Sequence, residues 1–160
     1  MLSTRPYGPD DAAAFVALNR EWIEKYFTLE EEDNRIFSNP GLIIEAGGAI
    51  LMALEEQRVV GTCALVKLDG NRYELAKMAV EPASRGNGVG SFLMSAILAK
   101  AKSMDADALI LQTNSRLTSA LRLYEKSGFR RVQESAPHST FRRADVTMVR
   151  DLRQDQRNGI

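Results

Sequence analysis

The chain has 160 residues, enough for one compact domain and too few for two of ordinary size. Its hydrophobic share of 44% and charged share of 26% are those of a soluble globular fold, which excludes a disordered or membrane-embedded chain. Formal net charge is zero and no long basic run occurs, which argues against nucleic acid or an anionic membrane surface as a partner.

Taken in order, Leu2 to Tyr7 reads as an edge strand that Pro6, Gly8 and Pro9 terminate. Asp10 offers a helix N-cap, and Phe15, Leu18, Trp22 and Tyr26 follow at roughly helical spacing. Thr28 and Glu31 match a T-x-x-E capping box, so a second short helix is expected from there to about Phe37, where Asn39-Pro40-Gly41 breaks it. Ala49 to Glu55 and Val59 to Leu68 are apolar and β-branched, joined by the polar turn Glu56-Gln57-Arg58. Asp69-Gly70-Asn71 marks a second hairpin turn, and Tyr73 to Val80 forms the next strand, closed by Glu81-Pro82.

A glycine-rich segment follows, then a clear helix with Val89, Phe92, Leu93, Ala96 and Ile97 at i, i+3, i+4, i+7 and i+8. Ala108 to Leu111 is a short continuous apolar run of the kind buried on both sheet faces. Leu117, Ala120, Leu121 and Tyr124 mark another amphipathic helix, with Gly128 placed to end it. Phe129 to Val132 and Ala144 to Leu152 read as final strands. No repeat or linker divides the chain, so one domain over 1–152 with a polar, frayed tail at 153–160 is expected. Antiparallel strands followed by β-α-β-α-β predict an α/β (α+β) fold, a mixed sheet with helices on both faces.

The N-terminus lacks the basic-then-apolar layout of a signal peptide, so a cytoplasmic location is expected. Cys63 has no partner for a disulfide and His138 no second histidine, and no carboxylates gather at ligand spacing, so no metal is expected. Cys63 reads as a small strand hydrophobe and His138 as a loop residue.

The chemistry concentrates in Arg85-Gly86-Asn87-Gly88-Val89-Gly90. A strand that ends in a glycine turn and continues as a helix exposes unpaired N–H groups where the helix dipole is positive, a site suited to phosphate. Missing side chains at Gly86, Gly88 and Gly90 would let phosphate oxygens approach, with Arg85 adding charge and Ser91 a further hydrogen bond. A nucleotide-hydrolase P-loop needs Lys-Ser/Thr after the last glycine, where this chain has Ser91-Phe92. The dinucleotide fingerprint needs G-x-G-x-x-G directly after a strand, whereas G-x-G-x-G here follows the spacer Pro82 to Arg85. Alone, a pattern of this size favours a plain glycine-rich turn over a phosphate site.

Arg85-x-x-Gly88-x-Gly90 resembles the R/Q-x-x-G-x-G/A signature of the GNAT superfamily of N-acetyltransferases. Glu74 to Pro82 looks like the family's fourth strand leading into that loop, and Leu123-Tyr124-Glu125-Lys126-Ser127-Gly128-Phe129 is similar to its L-Y-x-x-x-G-F segment. The resemblance spans about Ala49 to Val132. Through Asn19 to Glu24 and Thr113 to Leu117 it extends to bacterial acetyltransferases that are sometimes fused to MarR-type regulators, although this chain has no room for such a regulator.

The resemblance implies a mostly antiparallel twisted sheet whose fourth and fifth strands splay around acetyl-CoA as co-substrate. It implies that Gly86, Asn87, Gly88, Val89, Gly90 and Ser91, with Arg85, hold the pyrophosphate. Backbone groups of Met78, Ala79 and Val80 would bind the pantetheine arm, the Val80 N–H polarising the thioester carbonyl. Tyr124 matches the tyrosine that protonates the departing thiolate, with core packing as the alternative. Glu74 matches a glutamate that serves some members as general base, with a solvated strand glutamate as the alternative. Asn114 matches a position that contacts the cofactor arm, with helix capping as the alternative. Trp22, Tyr26 and Phe27, before the acidic run Glu30 to Asp33, lie on helices that wall the family's acceptor pocket, where rings and carboxylates would suit a cationic amine. The implied activity is direct acetyl transfer to a small-molecule, amino-acid or peptide amine in a ternary complex. A non-catalytic acyl-CoA-binding regulatory module and a nucleotide-binding switch are the competing classes, and a homodimer or monomer stays open.

Overall fold

The computed structural model describes residues 1–133, 141–153 and 155. His138 lies outside them. The described chain runs β1 (Leu2–Pro6), α1 (Ala12–Tyr26), α2 (Glu31–Ser38), α3 (Gly41–Glu45), β2 (Ala49–Glu55), β3 (Arg58–Lys67), β4 (Arg72–Val80), α4 (Val89–Ser103), β5 (Ala108–Thr113), α5 (Thr118–Lys126), β6 (Arg130–Val132) and β7 (Val146–Asp151). Single 3-10 turns at Pro9–Asp11 and Pro82–Ser84 lead into α1 and toward α4.

The strands form one sheet in the order β1-β2-β3-β4-β5-β7-β6, antiparallel throughout except for β4 against β5. The expected mixed, mostly antiparallel sheet is thus found, with β1 at its edge. Both faces are covered. Ile50, Met52 and Leu54 of β2 point to one face and pack with Phe15, Ile36 and Ile43 from α1, α2 and α3. Their neighbours Leu51 and Ala53 point to the other face, against Leu93, Met94 and Ile97 of α4 and Leu121 of α5. This two-sided cover explains why β2 is an unbroken apolar run rather than an alternating one.

Local chemistry sets the element ends. Glu56 and Gln57 both take positive φ (50° and 69°), so the β2–β3 hairpin turns in a left-handed pair without glycine. Asp11, rather than Asp10, organises the entry to α1: its carboxylate accepts from both Arg5 guanidinium nitrogens (2.6 and 2.8 Å) and from the Gly8 N–H (2.8 Å). The second helix begins at Glu31, later than the Thr28 capping box implied, because Asp33 accepts the Glu30 N–H (2.9 Å) and starts the helix there. The short helix α3 was not expected. Pro40 breaks α2 but suits the start of a new turn, and Ile43 then fills the core. Gly128 (φ 92°) ends α5 as expected. Of the polar tail, Asp155 is tied down by Lys102 (2.7 Å) and Arg150 (2.9 Å).

Candidate active site

β4 and β5 pair in parallel only from Arg72↔Ala108 to Glu74↔Ile110, although β4 continues to Val80 and β5 to Thr113. The cause lies in the β3–β4 register. Thr62 faces Ala79 and Ala64 faces Ala76, so Lys77 and Met78 together oppose Cys63. This β-bulge bends β4 away from β5. Lys77 sits at φ 53°, a left-handed conformation that costs a side-chain-bearing residue about 1–3 kcal/mol and clusters at functional sites. A cleft of about 410 Å³ occupies the opened gap, bounded by α1, β4, the first turn of α4, the end of β5 and α5.

The bulge also aims the backbone. The Glu81 N–H donates to the Val60 carbonyl (2.9 Å), which makes Gly61↔Val80 the non-bonded pair and turns the Val80 N–H and C=O away from β3. The Val80 carbonyl accepts from Arg85 Nε (3.2 Å), and Met78, Ala79 and Val80 all line the cleft.

The glycine segment ends beside it. Gly86 and Gly88 each have φ 82°, and Gly88 is the N-cap of α4. A Cβ at either would meet nothing within 4 Å, so glycine is required there by backbone conformation rather than by space. At Gly90 the expected reason also changes, since a Cβ would lie 3.3 Å from Leu123 Cδ2 in α5. Phe92 is the first residue to bond back within the helix, to Gly88 (3.0 Å), which leaves the N–H groups of Val89, Gly90 and Ser91 without intrahelical acceptors. The Val89 side chain is core, while Asn87 and Ser91 are exposed. Arg85 is not a free charge beside the loop, because its guanidinium pairs with Glu21 of α1 (2.6 Å).

Tyr124 and Glu74 both line the cleft. Burial raises the Tyr124 phenol above its ordinary value, with Cys63 adding to it, so the hydroxyl stays protonated at neutral pH. Its ring meets Phe129 edge-on at 6.1 Å, so it packs and opens on the cleft at once. Burial also raises the Glu74 carboxyl, opposed by the Lys77 charge. Asn114 does not cap α5, whose N-cap is Leu117. Its amide donates to the Arg143 carbonyl (2.6 Å) and its Oδ1 accepts the Arg116 N–H (2.8 Å), joining β5 to the segment before β7 at the cleft wall. Cys63 is fully buried, and burial raises its thiol, so it is inert packing.

The model of the acetyltransferase (GNAT) family matches residues 13–129. The chain belongs to this family. It is similar to an uncharacterized N-acetyltransferase of Mycobacterium tuberculosis, 34% identical over 109 residues that cover 65% of this chain and 67% of the relative. In fold it resembles a GNAT-family acetyltransferase of Staphylococcus aureus (TM-score 0.85, 21% identity, 95% and 99% of the two chains covered). It also resembles the PaiA N-acetyltransferase of Thermoplasma acidophilum, solved in complex with coenzyme A (TM-score 0.74, 17% identity, 94% and 99% covered). The splayed strands expected from the resemblance are those of this GNAT fold.

The remaining wall of the acetyltransferase's cleft departs from expectation. Trp22, Tyr26 and Phe27 do line it, but the acidic run does not present free carboxylates to a cationic amine. Asp33 is fully buried, and both its oxygens are taken: Arg143 donates to them in fork geometry (2.6 and 2.8 Å), and the Lys77 ammonium binds Oδ1. Burial by itself would raise this carboxyl, yet the bonds from Arg143 and Lys77 hold it down at about 2. Burial lowers the Lys77 ammonium, against the pull of Asp33. Glu30 accepts the Arg142 and Arg143 backbone N–H groups (2.9 and 3.4 Å). The Lys77 ammonium and the Arg143 guanidinium stack over Phe141 (4.6 and 4.1 Å), and Arg143 also faces Trp22 (5.7 Å). Lys77 and Arg143 were missed from sequence. One signal existed: Tyr73, Leu75, Lys77 and Ala79 share the buried phase of β4, and a lysine in that phase requires a buried partner. Among the described residues no group of His, Cys, Asp and Glu side chains gathers as a metal site, and no helix is long and apolar enough to cross a membrane.

Proposed function

We propose that this acetyltransferase transfers the acetyl group of acetyl-CoA directly to a primary amine, with both substrates held together in the β4/β5 cleft. The observation that carries this reading is the Val80 backbone, turned out of the sheet into a cleft that has the glycine turn at its edge and Tyr124 on its wall.

Acetyl-CoA supplies the acetyl group as a thioester. The N–H groups of Val89, Gly90 and Ser91, with the positive end of α4, suit its pyrophosphate. Since Glu21 compensates Arg85, these amides and the helix dipole are the main attraction for phosphate. Met78, Ala79 and Val80 bond the pantetheine arm, and the Val80 N–H meets the negative charge that develops on the carbonyl oxygen. One such donor is worth about 3–4 kcal/mol of barrier. Glu74, its carboxyl raised by burial, takes a proton from the incoming ammonium, directly or through water. As the C–N bond forms and the C–S bond breaks, Tyr124 gives its proton to the departing sulfur, and the second proton of the attacking nitrogen leaves through water to restore the phenol. No activated nucleophile with a paired base lies in the cleft among the described residues, consistent with transfer that needs no covalent enzyme intermediate.

Calorimetric titration with acetyl-CoA, followed by a thiol-release assay across a panel of primary amines, tests this reading. Saturable binding with amine-dependent thiol release is expected. Binding without turnover of any amine would leave a non-catalytic acyl-CoA-binding module, and ATP or GTP binding without coenzyme A competition would leave a nucleotide switch.

A further inference from the structure

If the cleft transfers acetyl groups to amines, its charge selects among them. A free alkylammonium is a cation at neutral pH and is best attracted by unpaired carboxylates. Apart from Glu74, the proposed base, no carboxylate lines the cleft among the described residues. Asp33 and Glu30 pair with Lys77 and Arg143, so those charges largely cancel inside the wall. Beside Glu74, what remains is Arg116. It is exposed at the cleft and, among the described residues, forms no ion pair.

Arg116 is nevertheless held in place. Its N–H is fixed by Asn114 Oδ1 (2.8 Å), its Nη1 donates to the Tyr26 carbonyl (3.3 Å), and its guanidinium lies over the Phe27 ring (5.4 Å). A guanidinium positioned on an aromatic face, with most of its donors unused, is prepared for a planar anion such as a carboxylate. It loses little conformational freedom when such a group arrives.

We infer that the acceptor is a small amino acid, whose amine is directed to Glu74 and whose carboxylate binds Arg116. This inference rests on the acetyl-transfer reading and narrows it. It disfavours polyamines, aminoglycosides and other polycations, which Arg116 repels. The aromatic wall of Trp22, Tyr26 and Phe27 gives the acid's side chain an apolar surface.

The test compares each common amino acid with its carboxamide and with its decarboxylated amine, in the thiol-release assay with acetyl-CoA saturating. At least one amino acid is expected to exceed its carboxamide and its amine in kcat/KM by about 10- to 100-fold, the worth of a hydrogen-bonded charge pair. Arg116→Ala should collapse that ratio toward one through the acceptor KM, and Arg116→Lys should retain part of it. Calorimetry with coenzyme A on both variants reports whether the donor side is intact. Equal turnover of acid and carboxamide, or an unchanged ratio in Arg116→Ala, overturns the inference while acetyl transfer stands. Donor binding with no amino acid acetylated also overturns it. Absence of donor binding removes the acetyl-transfer reading and the inference with it.

Discussion

The Lys77 ammonium rests on the Asp33 carboxylate, joining the bulge of β4 to α2 across 44 positions of sequence. Their side chains are 6% and 0% exposed, and Arg143 closes the other side of the carboxylate from the segment before β7. Three parts of the chain that share no local pattern are thereby clamped around one wall of the cleft. The same carboxylate also takes the Glu30 N–H at the start of α2, so one buried side chain serves helix initiation and wall assembly together.

Asp33→Asn should therefore be expensive. It leaves Lys77 and Arg143 buried beside a neutral amide, and breaking one side of a buried ion pair costs about 3–5 kcal/mol. Urea unfolding followed by circular dichroism measures this, and a loss below about 1 kcal/mol would show that the cluster is not buried as a unit. The acid limb of stability gives a second check. The Asp33 carboxyl is lowered from 3.8 to about 2, so its contribution is complete above about pH 4 and disappears as pH falls through about 2. The span corresponds to about 2 kcal/mol, and Asp33→Asn should remove that part of the stability–pH slope.

Glu74 acts in the reverse sense, because burial raises its carboxyl. Folded stability from this group is greatest with the acid protonated and falls as pH rises through the unfolded-state value toward the folded one. Activity follows the other form: a base works only once ionised, so kcat should rise with pH through the raised value. Glu74→Gln should lower kcat by about 100-fold and abolish that acidic limb, with acetyl-CoA affinity retained. A pH–rate profile unchanged in shape would assign the proton to a water chain instead.

What could be read from sequence was local. The glycine turn with its helix, and Leu123 to Phe129, each declare themselves within one short segment, so the elements at that end of the cleft were legible before any coordinates. The bulge at Lys77 was not, since it exists only in the register of β4 against β3, and a single strand's pattern carries no register. Arg143 gave no signal because its partner lies 110 positions away. The pairing of Arg85 was hidden for the same reason: Glu21 reaches it from 64 positions upstream. The capping box at Thr28 was a true pattern outcompeted by Asp33, whose buried carboxylate offers the helix start a stronger acceptor.

Tyr124→Phe separates packing from chemistry. The ring keeps its edge contact with Phe129, so the melting temperature should barely move. Only the hydroxyl goes, and kcat should fall by about 10- to 100-fold, within the range of general-acid assistance or just below it. The penalty should shrink above the thiol pKa of about 8.5, where the departing sulfur no longer needs a proton. Wild-type kcat should show no alkaline fall from this residue near neutrality, because burial keeps the phenol protonated there. A Tyr124→Phe enzyme as fast as wild type at pH 7 would return the residue to the core.

Gly88→Ala and Gly90→Ala should part company, although both glycines belong to one motif. At Gly88 a Cβ meets no atom within 4 Å but must adopt φ 82°, which costs about 1–2 kcal/mol of backbone strain. The turn can relieve that strain only by rotating the amides ahead of α4, so donor affinity should fall together with melting temperature. At Gly90 the backbone is helical and alanine is the better helix former by up to about 1 kcal/mol, set against a Cβ only 3.3 Å from Leu123 Cδ2. Stability there should change little, while α5, which carries Tyr124, is pushed outward. Calorimetry with coenzyme A and kcat measurements on both variants resolve the two effects: Gly88→Ala should raise Kd, and Gly90→Ala should act chiefly on kcat. If Gly88→Ala bound coenzyme A as tightly as wild type, the amides of this turn would not be the pyrophosphate site.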